Sequence, residues 1–226
     1  MLDRNDSVSV ETKKVSEGNA SHAFIPVVGA QGAVTAIVLA GGAATRMGGA
    51  DKGLIEMNGR PFVAHVLERI RPQCAHVVIS ANRNQERYAA FGHPVVADET
   101  EGFQGPLAGI AAALAVIKTP LAVVVPCDSP YLAADYVQRL AAPFLEQRGV
   151  CASAARAEGR EQPVFMMIQT NLRESLLAYL SQGGRRVRAW LESAGVVWVD
   201  FPDIKAFDNL NTPQDVARAE RLDKAH

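Results

Sequence analysis

From Thr35 onward, apolar runs of strand length alternate with segments whose apolar residues recur at helical period. Residues 36–39 read as a buried strand that runs into Gly41 and Gly42. After a long glycine-rich loop, Phe62, Val63, Val66, Leu67 and Ile70 fall on one face of a helix. Residues 76–80 form a second strand and 94–98 a shorter third. Pro106 opens a helix that runs to Ile117, because the N–H that proline lacks has no intrahelical partner at the first helical position. The wholly apolar strand at 121–125 leads into Pro126-Cys127-Asp128. A helix follows at 134–146, then β-like runs at 150–155 and 164–168, and helices near 171–180 and 186–193. A last strand covers 196–201, and Thr212-Pro213 starts a final helix. This alternation predicts a mainly parallel sheet with helices on both faces, in one α/β domain over residues 34–226. Residues 1–33 are rich in Ser, Glu, Lys and Asn and lack sustained periodicity, so they read as a flexible tail.

At 226 residues the chain is long enough for one sizeable core. A formal net charge of -1 argues against a nucleic-acid binder, which carries a basic excess. No apolar run reaches the roughly 18 residues needed to cross a bilayer, and the N-terminus lacks the apolar centre of a signal peptide. Cys74, Cys127 and Cys151 are scattered, without metal-ligand spacing or a disulfide framework, so a cytoplasmic location is expected. Cys127, beside an aspartate, reads as a small buried residue. The five histidines are dispersed and are assigned no metal. A Gly-Lys-Ser/Thr phosphate loop, a G-x-G-x-x-G fingerprint and a G-x-S-x-G elbow are all missing, which counts against an ATPase, a dehydrogenase and a serine hydrolase.

In such a sheet, ligands bind beyond the carboxyl ends of the strands. Leu39, Ala40, Gly41 and Gly42 stand there, followed by Arg46, Gly48, Gly49 and Lys52. Glycines let backbone N–H groups close around an anion, and Arg46 and Lys52 add a guanidinium fork and a mobile point charge. The pattern points to phosphate binding rather than to an ordinary surface loop. Asp128, directly after an apolar strand, is placed either to hold Mg²⁺ or to cap the next helix, a task Ser129 or Asp135 could serve instead. Asp98 ends the third strand, where it could accept from a base edge or a ribose, or cap a turn. Gly105, before Pro106, could let a ligand lie against the backbone. Arg185 and Arg186 open a helix in a cationic stretch that reads equally as a phosphate site or as a solvated basic face.

The stretches LAGGAATRMGGADKGL, GPLAGI, VVVPCDSP and FDNLNTPQD, in this order, resemble the molybdenum cofactor guanylyltransferase family, MobA. The resemblance runs from about Thr35 to Arg218 and implies a Rossmann-like nucleotidyltransferase domain. The implied activity is transfer of GMP from GTP to molybdopterin, giving the guanine dinucleotide cofactor and pyrophosphate. By position, the family implies that Leu39, Ala40 and Gly41 bind the nucleotide, Lys52 its phosphates, Asp98 the guanosine end and Asp128 the Mg²⁺. Arg46 matches the loop arginine, and Asn209 and Asn211 match paired asparagines on the pterin side. Transient contact with molybdopterin-delivering proteins and molybdoenzyme chaperones is also implied. One departure is Ser80, where relatives carry a nucleotide-contacting asparagine; a water or Asn82 could take that contact. The rival readings are a cytidylyltransferase or sugar-phosphate nucleotidyltransferase, whose loops read Leu-Ala-Ala-Gly, and a non-catalytic carrier of molybdopterin.

Overall fold

The computed structural model describes residues 33–40, 51–98 and 105–223. The expectations for residues 1–32 and for Gly41, Gly42 and Arg46 lie outside the described residues.

Strands β1 (Val34–Leu39), β4 (His76–Ser80), β5 (Val95–Val96) and β6 (Leu121–Pro126) form the parallel part of a seven-stranded sheet. The sheet continues through β7 (Ala152–Ala157), β8 (Arg160–Gln169) and β9 (Val197–Phe201), in the order β5-β4-β1-β6-β8-β7-β9. Only β8 runs against the others, so the sheet is mainly parallel, as the alternation predicts. The reversal follows from the tight turn between β7 and β8, where Glu158 and Gly159 take φ of 49° and 72°.

Successive residues of a strand face opposite sides, and the core divides accordingly. Val34, Ala36 and Val38 of β1, with Leu121, Val123 and Val125 of β6, pack under α1 (Phe62–Ile70) and α4 (Tyr136–Glu146). Ile37, Ala122 and Val124 face α3 (Pro106–Val116), α5 (Arg173–Ser181) and α6 (Val187–Ser193) on the other side. All five apolar residues expected on the α1 face are buried. Helix α3 is buried from Leu107 to Leu114 because it lies between the sheet and α5. Its Gly109 permits that approach: a Cβ there would strike the Ser80 hydroxyl. No helix among the described residues is long and apolar enough to cross a membrane.

Two elements escape the apolar pattern. Strands β2 (Glu56–Met57) and β3 (Arg60–Pro61) form a hairpin whose Asn58-Gly59 turn has φ of 53° and 73°, the left-handed geometry that Asn-Gly favours. Helix α2 (Gln85–Ala89) is too short to display a period. The hairpin matters for the site. Met57, together with Phe62 at the start of α1, packs against Leu210 and against Val216 and Ala219 of α7 (Pro213–Asp223), and Asn58 N–H donates to Glu220 at 2.8 Å. This contact seats the chain before α7 beside the end of β6.

Candidate active site

Backbone pairing continues one residue beyond the central strands. Ala40 N–H donates to Ser80 O (2.8 Å), Ala81 N–H to Val96 O (2.8 Å) and Cys127 N–H to Leu39 O (3.0 Å). Ala40, Ala81 and Cys127 therefore share one rim, and Asp128 stands on it with 4% of its surface exposed. The segment before α7 crosses at this point: Leu210 N–H donates to Asp128 O (3.1 Å) and the Ser129 hydroxyl to Asn209 Oδ1 (2.6 Å).

The Lys52 ammonium reaches this place from the short 3-10 turn Lys52–Leu54, contacting both the Asp128 carboxylate and the Asn211 side-chain oxygen. Asn211 in turn donates its amide to Asn209 O at 3.0 Å. Three segments distant in the chain thus meet here, with Lys52 paired to one buried carboxylate. Such a charge is costly unless partnered by another charge and by hydrogen bonds, and here a mobile ammonium is the partner. The capping alternative for Asp128 is replaced by this pairing. Helix α4 begins at Tyr136 with Asp135 at its cap position, and Asp135 binds Arg139 instead. Cys127 is buried, as expected; burial, then the adjacent Asp128 charge, pushes its thiol well above the usual range, which leaves it un-ionised and a poor nucleophile.

Asp98 lies past β5 and is tied to the loop after β4 by a reciprocal pair. Its N–H donates to Asn82 Oδ1 (2.8 Å), and Asn82 Nδ2 donates to Asp98 Oδ2 (2.9 Å). Ser80, by contrast, is covered by α3 at Gly109 and is 3% exposed. Of the two polar residues at and just beyond the end of β4, it is Asn82 that pairs with Asp98. Gly105 has φ of 117°, a backbone that side-chain-bearing residues avoid, and caps α3 with Pro106 at the first helical position.

Leu39, Ala40, Lys52, Asp98, Gly105, Asp128, Asn209 and Asn211 all belong to segments at or leading onto the carboxyl end of the sheet. Arg185 and Arg186 belong to the α5–α6 connection; Arg185 donates to the carbonyls of Leu180 (3.0 Å) and Gly184 (2.7 Å), and Arg186 is exposed. Sequence reasoning overlooked Asp51, whose carboxylate accepts from the Tyr88 hydroxyl and from Asn84 Nδ2 (2.9 Å). The available signal was its position directly before Lys52. Among the described residues no three His, Cys, Asp or Glu side chains gather into a metal cluster. Asp128 fits a hard cation of the Mg²⁺ kind, which takes one or two carboxylates and completes its shell with water and phosphate oxygens.

The sequence profile of the MobA-like NTP transferase domain matches residues 36–196. The molybdenum cofactor guanylyltransferase of Shewanella loihica is 44% identical over 182 residues, covering 80% of this chain and 92% of that protein. The protein of the same name from Burkholderia ambifaria is 44% identical over 196 residues, with coverage of 83% and 96%. Among solved structures, the molybdopterin-guanine dinucleotide biosynthesis protein A of Archaeoglobus fulgidus aligns with a TM-score of 0.67 at 23% identity, covering 85% of this chain and all of that one. The 4-diphosphocytidyl-2C-methyl-D-erythritol synthase of Anaerococcus prevotii aligns at 0.68 with 11% identity, covering 86% and 97%. Identities this low make the last two likenesses ones of fold.

Proposed function

Because the chain belongs to the MobA-like NTP transferase family, we propose that it transfers GMP from GTP to molybdopterin, forming the guanine dinucleotide cofactor and releasing pyrophosphate. The observation that carries the proposal is the meeting of Lys52, Asp128 and Asn211 at the carboxyl rim of the sheet, in a chain 44% identical to proteins named for this activity.

The chemistry follows from charge. The pterin phosphate and the α-phosphate of GTP are both anions, so their approach needs neutralisation more than proton transfer. The attacking phosphate is already ionised, and no general base is required. Lys52 offers a mobile cation that can move from the Asp128 carboxylate to a phosphate oxygen without leaving the rim. Asp128 would hold Mg²⁺, which would supply Lewis-acid neutralisation of phosphate charge when bound. Leu39, Ala40 and Gly105 offer backbone to the nucleotide, with Gly41, Gly42 and Arg46 assigned to its phosphates. Asp98, oriented by Asn82, is assigned to the guanine edge, where adjacent N–H donors match a carboxylate. Asn209 and Asn211 are assigned to the pterin side, and Arg185 and Arg186 to the pterin phosphate. The proposal includes a cytoplasmic location and transient contact with molybdopterin-delivering proteins and molybdoenzyme chaperones.

The test is nucleotide choice. The purified chain with molybdopterin and Mg²⁺ is expected to form a dinucleotide and pyrophosphate from GTP, and not from CTP or ATP. Preference for CTP would overturn the guanylyl assignment; tight pterin binding without pyrophosphate release would make the chain a carrier.

A further inference from the structure

We infer that Asp51 is the positioning residue for Lys52: its carboxylate, clamped by Tyr88 and Asn84, fixes the turn that carries the lysine and so sets where the ammonium meets the phosphates. The inference rests on the assignment of Lys52 to those phosphates.

Both carboxyl oxygens of Asp51 are engaged from the α2 side, Oδ1 by the Tyr88 hydroxyl and Oδ2 by Asn84 Nδ2 at 2.9 Å. Tyr88 is wholly buried. Burial, then the neighbouring Cys127 and Asp51, holds its phenol far above the usual range, so it is a permanent donor in a fixed place. Asn84 adopts φ of 51° and ψ of 33°, a left-handed conformation that asparagine tolerates. The backbone of Asp51 is extended, with φ of -75° and ψ of 118°. Successive side chains on extended backbone point to opposite sides, so Asp51 reaches α2 while Lys52 reaches Asp128 and Asn211. The bonds Leu54 N–H to Asp51 O (3.0 Å) and Ile55 N–H to Lys52 O (3.3 Å) close the turn. Gly53 lies directly on Tyr88 and Cys127, with no room for a Cβ.

The same phenol thus supports the turn twice, by holding Asp51 and by underlying Gly53. Core packing does not require a carboxylate at this half-exposed position. What the clamp achieves is a defined origin for a long, flexible lysine, and it keeps a negative group turned away from the space assigned to phosphates. Misplacing a charged group by about 1 Å costs on the order of 100-fold in rate, so a loosened turn is expressed as lost turnover.

The experiment is a double-mutant cycle on the full chain. Tyr88→Phe keeps the ring and removes the donor, and Asp51→Asn keeps the shape and removes the charge. Each is made alone and with Lys52→Ala. Thermal melting, equilibrium GTP binding, kcat and KM are measured, binding being readable in every background. Either substitution alone is expected to lower kcat/KM by about 10- to 100-fold and to weaken GTP binding. With Lys52→Ala present, either one changes GTP binding by less than about 2-fold, because the residue it positions is gone. Two results overturn the inference while leaving Lys52 in place: single variants within about 2-fold of wild type, or losses that persist undiminished beside Lys52→Ala. Normal turnover and GTP binding by Lys52→Ala alone would instead remove the reading beneath it.

Discussion

Replacing Gly53 with alanine places a methyl group 2.5 Å from the Tyr88 hydroxyl oxygen, 3.1 Å from Cys127 Sγ and 3.2 Å from Tyr88 Cε1. Ordinary contact begins at 3.4 Å, so the turn or the ring must give by about 0.9 Å at the closest point. The ring is poorly placed to yield, since Tyr88 is fully buried and its oxygen is bonded to Asp51. The movement therefore falls on the turn, and with it on Lys52. Overpacking of this kind costs about 1–3 kcal/mol. For a domain of this size that corresponds to a fall in melting temperature of about 2–12 °C. A lysine carried off by about 1 Å predicts a loss on the order of 100-fold in kcat/KM, larger than the stability loss alone would produce. Pyrophosphate release from GTP with molybdopterin, measured well below the melting transition, reads the second effect separately from the first. Adding Tyr88→Phe removes the oxygen that the methyl strikes. The pair should regain part of the melting temperature, the tighter-than-ordinary contacts with Cys127 Sγ and Tyr88 Cε1 remaining, while turnover stays low because Asp51 has lost its donor. Gly53→Ala with wild-type melting and wild-type kcat/KM would refute this packing of the turn.

Lys52→Ala should lower turnover by about 100-fold or more with the fold kept, and should also lower the melting temperature, because the buried Asp128 carboxylate loses its charged partner; unchanged kcat at saturating GTP returns Lys52 to the ordinary surface. Asp128→Asn should shift the Mg²⁺ requirement steeply upward, an amide being a poor replacement for a hard anionic ligand; coincident Mg²⁺ saturation curves would remove Asp128 from the metal. Asp98→Ala should weaken GTP use without improving CTP use, whereas equal losses for every nucleotide would place Asp98 on the ribose. Asp215 accepts from Thr212 Oγ1 (2.8 Å) and from the N–H groups of Thr212 (3.0 Å) and Asn211 (3.2 Å), and these bonds, the Thr212 hydroxyl first, hold its carboxyl below the usual 3.8. A depressed folded-state pKa contributes stability above pH 3.8 that is lost as pH falls through the lower native value, so Asp215→Asn should destabilise by about 1 kcal/mol at neutral pH and flatten the acid limb of the melting curve; identical acid limbs would show that these bonds do not hold the carboxylate.

What the sequence by itself determined is local. The apolar spacing of Phe62, Val63, Val66, Leu67 and Ile70 identifies a buried helical face, because helical period and burial are written in the same few residues. The run from Leu121 to Val125 identifies a strand buried on both sides, and the aspartate that follows it must then stand at a carboxyl end. The motif stretches supplied roles for Lys52, Asp98 and Asp128 through resemblance, without saying what those side chains touch. Tertiary structure decided the partners. Lys52 and Asn211 are 159 residues apart and meet because α7 docks on the Asn58-Gly59 hairpin, an element with too few apolar residues to carry a period. Ser80 and Asn82 look interchangeable along the chain. Only the approach of α3 at Gly109 covers the first and leaves the second to hold Asp98. Asp51 reads as one more loop charge until the buried Tyr88 hydroxyl is brought against it. Periodicity records which face of an element is buried, whereas the pairing of polar groups across distant segments depends on how those faces pack.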